Sequence, residues 1–448
     1  MQINRNRTYQ TIESFGASGS WWSQYAGCWP EADRNRIASL LFDPDCGIGL
    51  SAYRYNLGAG SADSGKGNYW NEYRRAQSFE TAPGVYDWGK DAGAVWFLQE
   101  VTRRGCQEVT LFCNSPLERL TLSGMGQLNP GTVSNITPDR YAEWAAYCCD
   151  VAEHFLSLGV PVKYLSPINE PQWEWSTNNG QEGCHFEPEA IGGVYAAFLT
   201  ALQQRPALQH LELTGPESGE WGGKTQLYVS AMLADPAVRA HMSAIDCHSY
   251  WSNAESKTAF RRFADEHFPE KRIRMSEWCE MVHGTDPGMD SAIVLAKCVW
   301  EDLTLLNATH WCTWVGVAPK GYHDGVIHAW QEEDGSVHVM PLKRLWAYGN
   351  YTRFVRPGYV RVDVQGAQEL LPVAFDGLQD GRAQRVIILI NESTEPRSAA
   401  LEGCTEGFTA LQVHETSDAH DLDKVYDGPV LPSVTLPGRS VVTLVLHA

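Results

Sequence analysis

Short hydrophobic segments alternate eight times with helical patterns over the first three quarters of the chain, and this repeat leaves few possible folds. The predicted strands are Ile12–Gly16, Gly49–Asn56, Glu108–Cys113, Val162–Ile168, Leu211–Gly215, Ala244–His248, Ile273–Glu277 and Thr309–Trp314. The clearest helical patterns are Asp91–Arg104, Asp139–Leu158, Pro188–Gln203, Gln226–Leu233, Met289–Leu306 and Leu342–Phe354. Strands and helices in this order predict an α/β protein, a closed (β/α)8 TIM barrel over residues 12–345. A doubly wound open sheet is the competing topology, but it would be expected to carry a nucleotide-binding glycine loop, which the sequence lacks.

The pattern changes after Arg356-Pro357-Gly358, where short β-branched or aromatic runs are separated by Gly, Asp, Ser and Pro. The runs are Tyr359–Val364, Leu371–Phe375, Arg385–Ile390, Thr409–Val413 and Ser440–Leu446. Such runs predict antiparallel strands joined by turns. We therefore expect a side β-sandwich over residues 346–448, packed closely on the barrel because no long linker separates them.

Charge and hydropathy exclude several classes of partner. The 448 residues carry 35 Lys and Arg against 54 Asp and Glu, a net charge of −19. This acidity argues against nucleic acid or an anionic membrane as partner and suits a neutral saccharide. No uninterrupted run of about 18 apolar residues exists that would predict a membrane span. The start Met1–Arg5 lacks the apolar segment of a signal peptide, which predicts a cytoplasmic protein, or a secreted one whose signal peptide was removed. The sequence does not indicate an oligomeric state.

The twelve cysteines are scattered, and none form a C-x-x-C pair. Several lie inside strand or helix patterns, and the adjacent Cys148 and Cys149 would point in different directions on a helix. Free cysteines in the core are therefore expected, without a metal site. No phosphate-binding loop or other cofactor motif appears, so we expect no cofactor.

Two hydrophobic strands end abruptly in a carboxylate, Glu170 within Ser166–Pro171 and Glu277 within Met275–Trp278. Counted along the chain, these strands are the fourth and the seventh. A glutamate at the carboxyl end of a barrel strand lies where TIM barrels build their active sites. A facing pair of carboxylates is typical of glycoside hydrolysis, in which one protonates the leaving oxygen and the other attacks the anomeric carbon.

Polar residues at other strand ends are candidates to support this pair. Arg54 can supply a charge and a fixed fork of donors, and His248 and Tyr250 can reach inward from the sixth strand. Asn169 can hydrogen-bond a sugar 2-hydroxyl, a contact that strengthens in the transition state. Simpler roles stay open: Glu170 or Arg54 in a rim ion pair, and His248 as a hydrogen-bonded core histidine.

Glu280 is a rival nucleophile, although it lies past the strand end. Several tryptophans lie at or just beyond predicted strand ends, namely Trp173, Trp175, Trp221, Trp251, Trp278, Trp311 and Trp314. Because sugars pack their apolar faces on aromatic rings, some of these should line a cleft. We predict this role for Trp175 and Trp314, and Tyr322–Gly325 could also contact substrate.

Four segments resemble glycoside hydrolase family 30 of clan A: Gln10–Gly19, Asn169-Glu170-Pro171, Ser276–Trp278 and Phe354–Gly358. The resemblance implies that Glu170 is the acid/base, that Glu277 is the nucleophile, and that Arg54 and Asn169 support them. It also implies that the N-terminal strand, residues 1–11, joins the side β-sandwich. Ser166–Trp175 followed by Gln181–His185 is similar to the endo-β-1,6-galactanase branch of the family.

The chain departs from the family pattern at Asn114–Arg119, which lacks aromatic residues that relatives often carry after the third strand and which we expect to add charges near the cleft. Endo and exo action both stay open for this reason. The resulting hypothesis is a retaining enzyme that cleaves β-1,6-linked galactan or galacto-oligosaccharides. The alternatives are β-glucosidase, β-xylosidase or xylanase specificity on the same fold, or a non-catalytic glycan-binding protein.

Overall fold

A computed structural model of the chain describes residues 1–129, 133–283 and 285–448. The strands are β1 (Gln2–Thr11), β2 (Ser14–Ser18), β3 (Ala52–Asn56), β4 (Glu80–Ala82), β5 (Val85–Tyr86), β6 (Glu108–Phe112), β7 (Val162–Ser166), β8 (Glu212–Leu213), β9 (Ala244–His248), β10 (Arg272–Trp278), β11 (His310–Thr313), β12 (Val317–Ala318), β13 (Ile327–Gln331), β14 (Val337–Pro341), β15 (Val360–Gln365), β16 (Val373–Gln379), β17 (Arg382–Asn391), β18 (Arg397–Ala400), β19 (Ala410–Thr416), β20 (Asp421–Pro429), β21 (Ser433–Leu436) and β22 (Ser440–His447). The α-helices are α1 (Trp22–Ala26), α2 (Glu31–Phe42), α3 (Ser61–Ser64), α4 (Ala92–Arg103), α5 (Tyr141–Ser157), α6 (Pro188–Gln203), α7 (Thr225–Met232), α8 (Pro236–His241), α9 (Ala254–His267), α10 (Met289–Leu305) and α11 (Lys343–Thr352).

Eight parallel strands form the barrel sheet, in the order β8-β7-β6-β3-β2-β11-β10-β9. The ring closes between β8 and β9 through an irregular segment, Gly215–Ser218, rather than through regular strand pairing. Asp246 donates its backbone N–H to the Gly215 carbonyl (2.8 Å), and Glu217 and His248 donate to the Asp246 and Ser218 carbonyls (2.9 and 2.8 Å). The predicted (β/α)8 barrel is confirmed, and its strands begin and end within three residues of the predicted bounds.

The six predicted helices are present as α4, α5, α6, α7, α10 and α11, each within two residues of its predicted bounds. Two longer helices have no counterpart among the predictions, α2 and α9. In α2 the buried residues lie only in the C-terminal half, and α9 buries just Lys257, Phe260 and Ala264, so neither has a full apolar stripe. The Asn253–Ser256 capping box was the available signal for the start of α9.

Charged residues fill the interior of the barrel below its rim. The fully buried Arg274 of β10 donates to Glu108 (2.6 Å) and Asp246 (3.1 Å), and its guanidinium lies 4.0 Å from the centre of the Tyr164 ring. Burial alone would raise the pKa of Glu108, but Arg274, followed by His310, holds it well below its usual range. This layer joins β6, β7, β9 and β10 beneath the rim.

The side domain is built on a seven-stranded antiparallel sheet, ordered β1-β15-β16-β17-β22-β19-β20, with a separate pair β18-β21. Alternate residues of β17 face opposite sides. Ile388 and Ile390 belong to the hydrophobic core shared with the barrel, whereas Ile387 and Leu389 pack in a second core with β18 and β21. The predicted side β-sandwich is thus one large sheet with a small outer layer.

The N-terminal strand β1 runs antiparallel to β15, with Ile3 opposite Val364. The division of the chain at residues 345 and 346 stays a prediction. All twelve cysteines are free thiols, and all except Cys28 and Cys46 are buried. Within the described residues, no helix combines the length and the apolar composition needed to cross a membrane.

The inner charged layer makes a prediction about stability. Replacing Arg274 by Met would leave Glu108 and Asp246 buried without their cation, so the free energy of unfolding should fall by about 3–5 kcal/mol. Guanidinium chloride unfolding of the full chain measures this change. Arg140→Met is the matched control, because this arginine is half exposed and its removal strands no buried charge. An unchanged unfolding midpoint for Arg274→Met would contradict the role of this layer.

Candidate active site

The predicted polar residues gather at the carboxyl end of the barrel strands. The residues that meet there are Arg54, Asn169, Glu170, His248, Tyr250 and Glu277, and each is at most 8% exposed. These residues lie on or directly after β3, β7, β9 and β10, which are not all neighbours in the sheet. Closure of the barrel therefore brings them together, rather than proximity in the sequence. The open rim above them is where TIM barrels bind substrate.

Glu277 is aimed at this rim by an irregularity in β10. The pairing of β10 with β9 shifts register between Met275 and Glu277, and such bulges redirect the side chain that follows. Its carboxylate accepts from Arg54 Nη1 (2.5 Å) and from the Tyr250 hydroxyl (3.2 Å). Burial raises the pKa of Glu277, while His248 and Arg54 oppose that rise and the nearby Glu170 adds to it.

Arg54 points into the barrel from β3 and joins several of these groups. Besides Glu277, its guanidinium donates to Asn169 Oδ1 (2.9 Å) and lies 3.4 Å from Glu217. The Phe112 ring lies 3.6 Å beneath the guanidinium carbon, a cation–π contact that fixes the plane of the fork. Arg54 is therefore more than a rim ion pair, because it orients three side chains from three other parts of the ring.

Glu170 follows β7 in a strained backbone conformation, with φ of +45°. Bulky residues rarely adopt this left-handed region, and their presence at a cleft often marks a functional position. Here the surrounding structure fixes it: its N–H donates to the Glu217 carbonyl (2.8 Å), and Trp175 Nε1 donates to its carbonyl (2.9 Å). The side chain accepts from His248 Nδ1 (3.3 Å).

Glu217 is a third carboxylate of the cluster, and the sequence did not predict it. It lies in the closing segment Gly215–Ser218, fully buried, and contacts His248 Nε2 (3.1 Å) and the hydroxyls of Ser166 (3.0 Å) and Ser276. Burial would raise the pKa of Glu217, but Arg54 and then His248 lower it to about 2. Its signal in the sequence was slight, because only a two-residue strand precedes it.

His248 bridges all three carboxylates. Nε2 faces Glu217, and Nδ1 lies 3.3 Å from Glu170 and 3.6 Å from Glu277. Burial alone would lower its pKa, but Glu277 and the hydrogen bonds to Glu170 and Glu217 raise it to about 9. The imidazole is therefore protonated at neutral pH and donates from both nitrogens.

An open cleft of about 380 Å³ lies above this cluster and is lined by five tryptophans and Tyr250 together with polar and charged residues. Trp175 and Trp314 both line it, as predicted, although each is less than a tenth exposed. Three further tryptophans present much more surface to the cleft, Trp70, Trp173 and Trp251. The sequence analysis did not single out Trp70, and it did not separate Trp173 and Trp251 from Trp221 and Trp311, which are buried in the core.

The segment Gln181–His185 shapes one wall of the cleft. Gln181 lines the cleft, and the buried Glu182 accepts hydrogen bonds from the backbone of Ala59 and from Ser61, tying this wall to the loop after β3. Gly183 lets the Trp175 ring approach its backbone, since a β-carbon there would lie 2.2 Å from the ring. The segment Gln181–His185 therefore both lines the cleft and holds the neighbouring loop and Trp175 in place.

Some expectations need correction. The charges of Asn114–Arg119 do not reach the catalytic cleft, because Arg119 pairs with Glu80 and Glu143, and Glu118 accepts from the Gly126 N–H. Glu280 is buried outside the cleft and accepts from Ser291 (2.9 Å). By contrast, His323 and Asp324 of the Tyr322–Gly325 segment do line the cleft.

Glu170, His248 and Glu277 are also of the residue types that ligate divalent cations, and one ligand atom from each lies within 4.8 Å of the others. The guanidinium of Arg54, at 2.5 Å from Glu277, already supplies a cation to this group. Carboxylates without further acceptor ligands and next to two protonated side chains form a poor metal site. The absence of a metal stays a prediction.

The chain is similar in sequence and in structure to several known proteins. The family model of O-glycosyl hydrolase family 30 matches residues 1–222. An endo-β-1,6-galactanase of Hypocrea rufa is 23% identical, covering 90% of this chain and 85% of the relative. The glucuronoxylanase XynC of Bacillus subtilis is 25% identical, and the match covers 69% of this chain and 66% of that relative. A conserved exported protein from Bacteroides fragilis has a similar structure, with a TM-score of 0.86, 25% identity and 99% of both chains covered.

The bridging position of His248 leads to a prediction about Glu217. Glu217→Gln keeps the shape but removes one of the charges that hold the imidazolium, so the pKa of His248 should fall from about 9 toward its ordinary 6.5. A pH titration followed by NMR of histidine ring nitrogens measures it. Glu174→Gln, an exposed change close by, is the control and should leave the pKa of His248 unaltered. An equal pKa in wild type and Glu217→Gln would show that Glu217 does not support the charge.

Proposed function

We propose that the chain is a glycosidase of glycoside hydrolase family 30, a retaining enzyme acting on β-1,6-linked galactan or galacto-oligosaccharides. The observation that carries the retaining mechanism is the spacing of Glu170 and Glu277, which each place an oxygen within 4.8 Å of the other at the floor of the cleft. Retention needs carboxyl groups about 5–5.5 Å apart, whereas inversion needs about 6.5–9.5 Å to admit a water.

The charges around the two glutamates support different roles for them. The cluster has three carboxyl groups and two cations, Arg54 and His248. Glu217 and Glu277 each contact Arg54, which favours the ionised form of both carboxylates and suits Glu277 to act as the nucleophile. Glu170 contacts only His248 through Oε1, which leaves its other oxygen to carry a proton for the leaving group.

In the first step Glu277 attacks the anomeric carbon while Glu170 protonates the glycosidic oxygen, and the leaving sugar departs as an alcohol. Tyr250 and Arg54 hold the attacking carboxylate in place, and Asn169, fixed by Arg54, is positioned for the sugar 2-hydroxyl. In the second step Glu170 takes a proton from water, which attacks the glycosyl ester and releases Glu277. His248 stays protonated throughout and orients Glu170.

Galactan is the proposed substrate because the Hypocrea rufa relative, an endo-β-1,6-galactanase, matches along most of both chains. The cleft is lined by aromatic rings and the buried charges below are balanced, which suits a neutral sugar. Xylan is the second candidate, supported by the match to the Bacillus subtilis glucuronoxylanase. The side chains of the cleft walls, rather than the carboxylates, would decide between the two substrates.

Substrate and stereochemistry can be tested together. Purified protein is incubated with β-1,6-galacto-oligosaccharides and, in parallel, with β-1,4-xylan and aryl β-glucosides, and the products are followed by proton NMR. We expect galactose or galactobiose from the first substrate, formed initially as the β-anomer. Activity on xylan alone would reject the galactan specificity while keeping the mechanism. An initial α-anomer from any β-glycoside would reject retention.

The two glutamates should respond differently to substitution and to azide. Glu277→Ala should lose turnover, whereas Glu170→Ala should lose about 10²–10⁴-fold on sugar leaving groups and much less on dinitrophenyl glycosides, which leave without acid help. Azide, which needs no general base, should rescue Glu170→Ala as the β-glycosyl azide and Glu277→Ala as the α-glycosyl azide. NMR of the products distinguishes the two anomers. An α-azide from Glu170→Ala together with a β-azide from Glu277→Ala would show that Glu170 is the nucleophile and Glu277 the acid/base. Glu280→Gln is the control and should keep near-normal activity.

A further inference from the structure

We propose that Trp173 and Trp251 form a binding platform for the leaving-group sugar beside Glu170. The proposal rests on the function proposed above and identifies where its leaving group binds. The platform is defined by these two indole rings, with the side-chain amide of Gln172 at its edge. It lies on loops after β7 and β9, apart from Trp175 and Trp314.

The two rings present a large apolar surface that the fold itself does not use. Trp173 is 39% exposed and Trp251 is 61% exposed, among the most exposed tryptophans of the described residues. Their centroids are 5.4 Å apart and their planes meet at 69°, so the pair forms a corner with an open face toward the cleft. Exposed aromatic surface of this kind is typical of a binding site, because pyranose rings pack their C–H faces on it.

The platform lies on the Glu170 side of the cleft. A β-carbon placed on Gly219 would lie 2.8 Å from Glu170 Oε1, 2.5 Å from Gln172 Nε2 and 3.5 Å from the Trp251 ring. These three groups therefore pack closely around Gly219, which places Gln172 and the Trp251 ring next to the Glu170 carboxyl. Because Glu170 must reach the glycosidic oxygen, the sugar attached to that oxygen as leaving group lies on this side of the cleft, beside the rings.

A polar contact completes the platform. Gln172 Oε1 is buried and has no hydrogen-bond partner within the described structure. An orphaned acceptor beside the proton donor costs stability unless a ligand uses it. A sugar hydroxyl on the leaving group can donate to it, which favours a sugar over an apolar leaving group.

The backbone holds Trp251 in place at a cost in strain. Its φ is +49°, a left-handed conformation that is unusual for an aromatic residue. The loop is fixed by Ser252, whose hydroxyl accepts from the backbone N–H of Trp221 (2.9 Å) and donates to the Tyr250 carbonyl (3.1 Å). A strained but well-anchored exposed ring is the pattern expected of a side chain positioned for binding.

Two substrates with the same glycone separate this role from catalysis. A β-1,6-galacto-oligosaccharide has a sugar leaving group, whereas β-galactosyl fluoride releases fluoride, which cannot occupy the platform. Trp251→Ala and Trp173→Ala should lower kcat/KM on the oligosaccharide by about tenfold or more and change the fluoride by no more than about threefold. Trp330→Ala, in the β13–β14 hairpin away from the cleft, is the control for loss of a tryptophan.

Transfer to an acceptor tests the same surface in reverse. With the fluoride as donor and galactose added, an acceptor hydroxyl attacks the glycosyl ester, Glu170 takes its proton and Glu277 leaves as a carboxylate. By microscopic reversibility the acceptor binds where the leaving group does, so Trp251→Ala should lose transfer product while hydrolysis of the fluoride continues.

The outcomes distinguish failure of the platform from failure of the proposed substrate. Equal losses on both substrates, or no loss on either, would overturn the platform. A wild-type enzyme inactive on galactosides but active on xylosides would overturn only the substrate, and the matching xylosyl pair then tests the platform. Complete inactivity on all of these glycosides would overturn both.

Discussion

The buried guanidinium of Arg54 is the interaction on which the organisation of the site depends. It contacts Glu277, Asn169 and Glu217, which come from three other parts of the barrel ring, while Phe112 lies against its plane. A charge with 2% exposure is tolerated only if opposite charges satisfy it, so these partners cannot move independently. The position of the proposed nucleophile therefore follows from the need to pair one cation.

The closing segment Gly215–Ser218 connects this local requirement to the whole barrel. Its backbone bonds complete the ring between β8 and β9, and its one charged side chain, Glu217, meets Arg54 and His248. The backbone of this segment does not pair as a regular strand, and the Glu217 side chain points into the barrel. The segment that closes the barrel therefore also supplies a carboxylate to the charged cluster.

The sequence was sufficient for the barrel and for the two proposed catalytic carboxylates, because hydrophobic strands that end in Glu170 and Glu277 are visible without tertiary information. Glu217 was not predictable in this way, since it follows an irregular segment with no strand pattern. Trp173 and Trp251 were among the candidate tryptophans but were not assigned to the cleft, because an aromatic residue at a strand end looks the same in the sequence whether it packs inward, as Trp221 does, or faces the cleft. The small strands β18 and β21 were missed because their pairing depends on distant residues.

Strands hold the buried charged residues of the site, whereas loops hold its exposed aromatic residues. Arg54, His248 and Glu277 lie on strands and are fixed by buried contacts, so changing any of them disturbs the others. Trp70, Trp173 and Trp251 lie in the loops after β3, β7 and β9, and all three are exposed. Substitution of these loop residues would therefore change the walls of the cleft without breaking the buried contacts of Arg54 that hold Glu277 and Asn169.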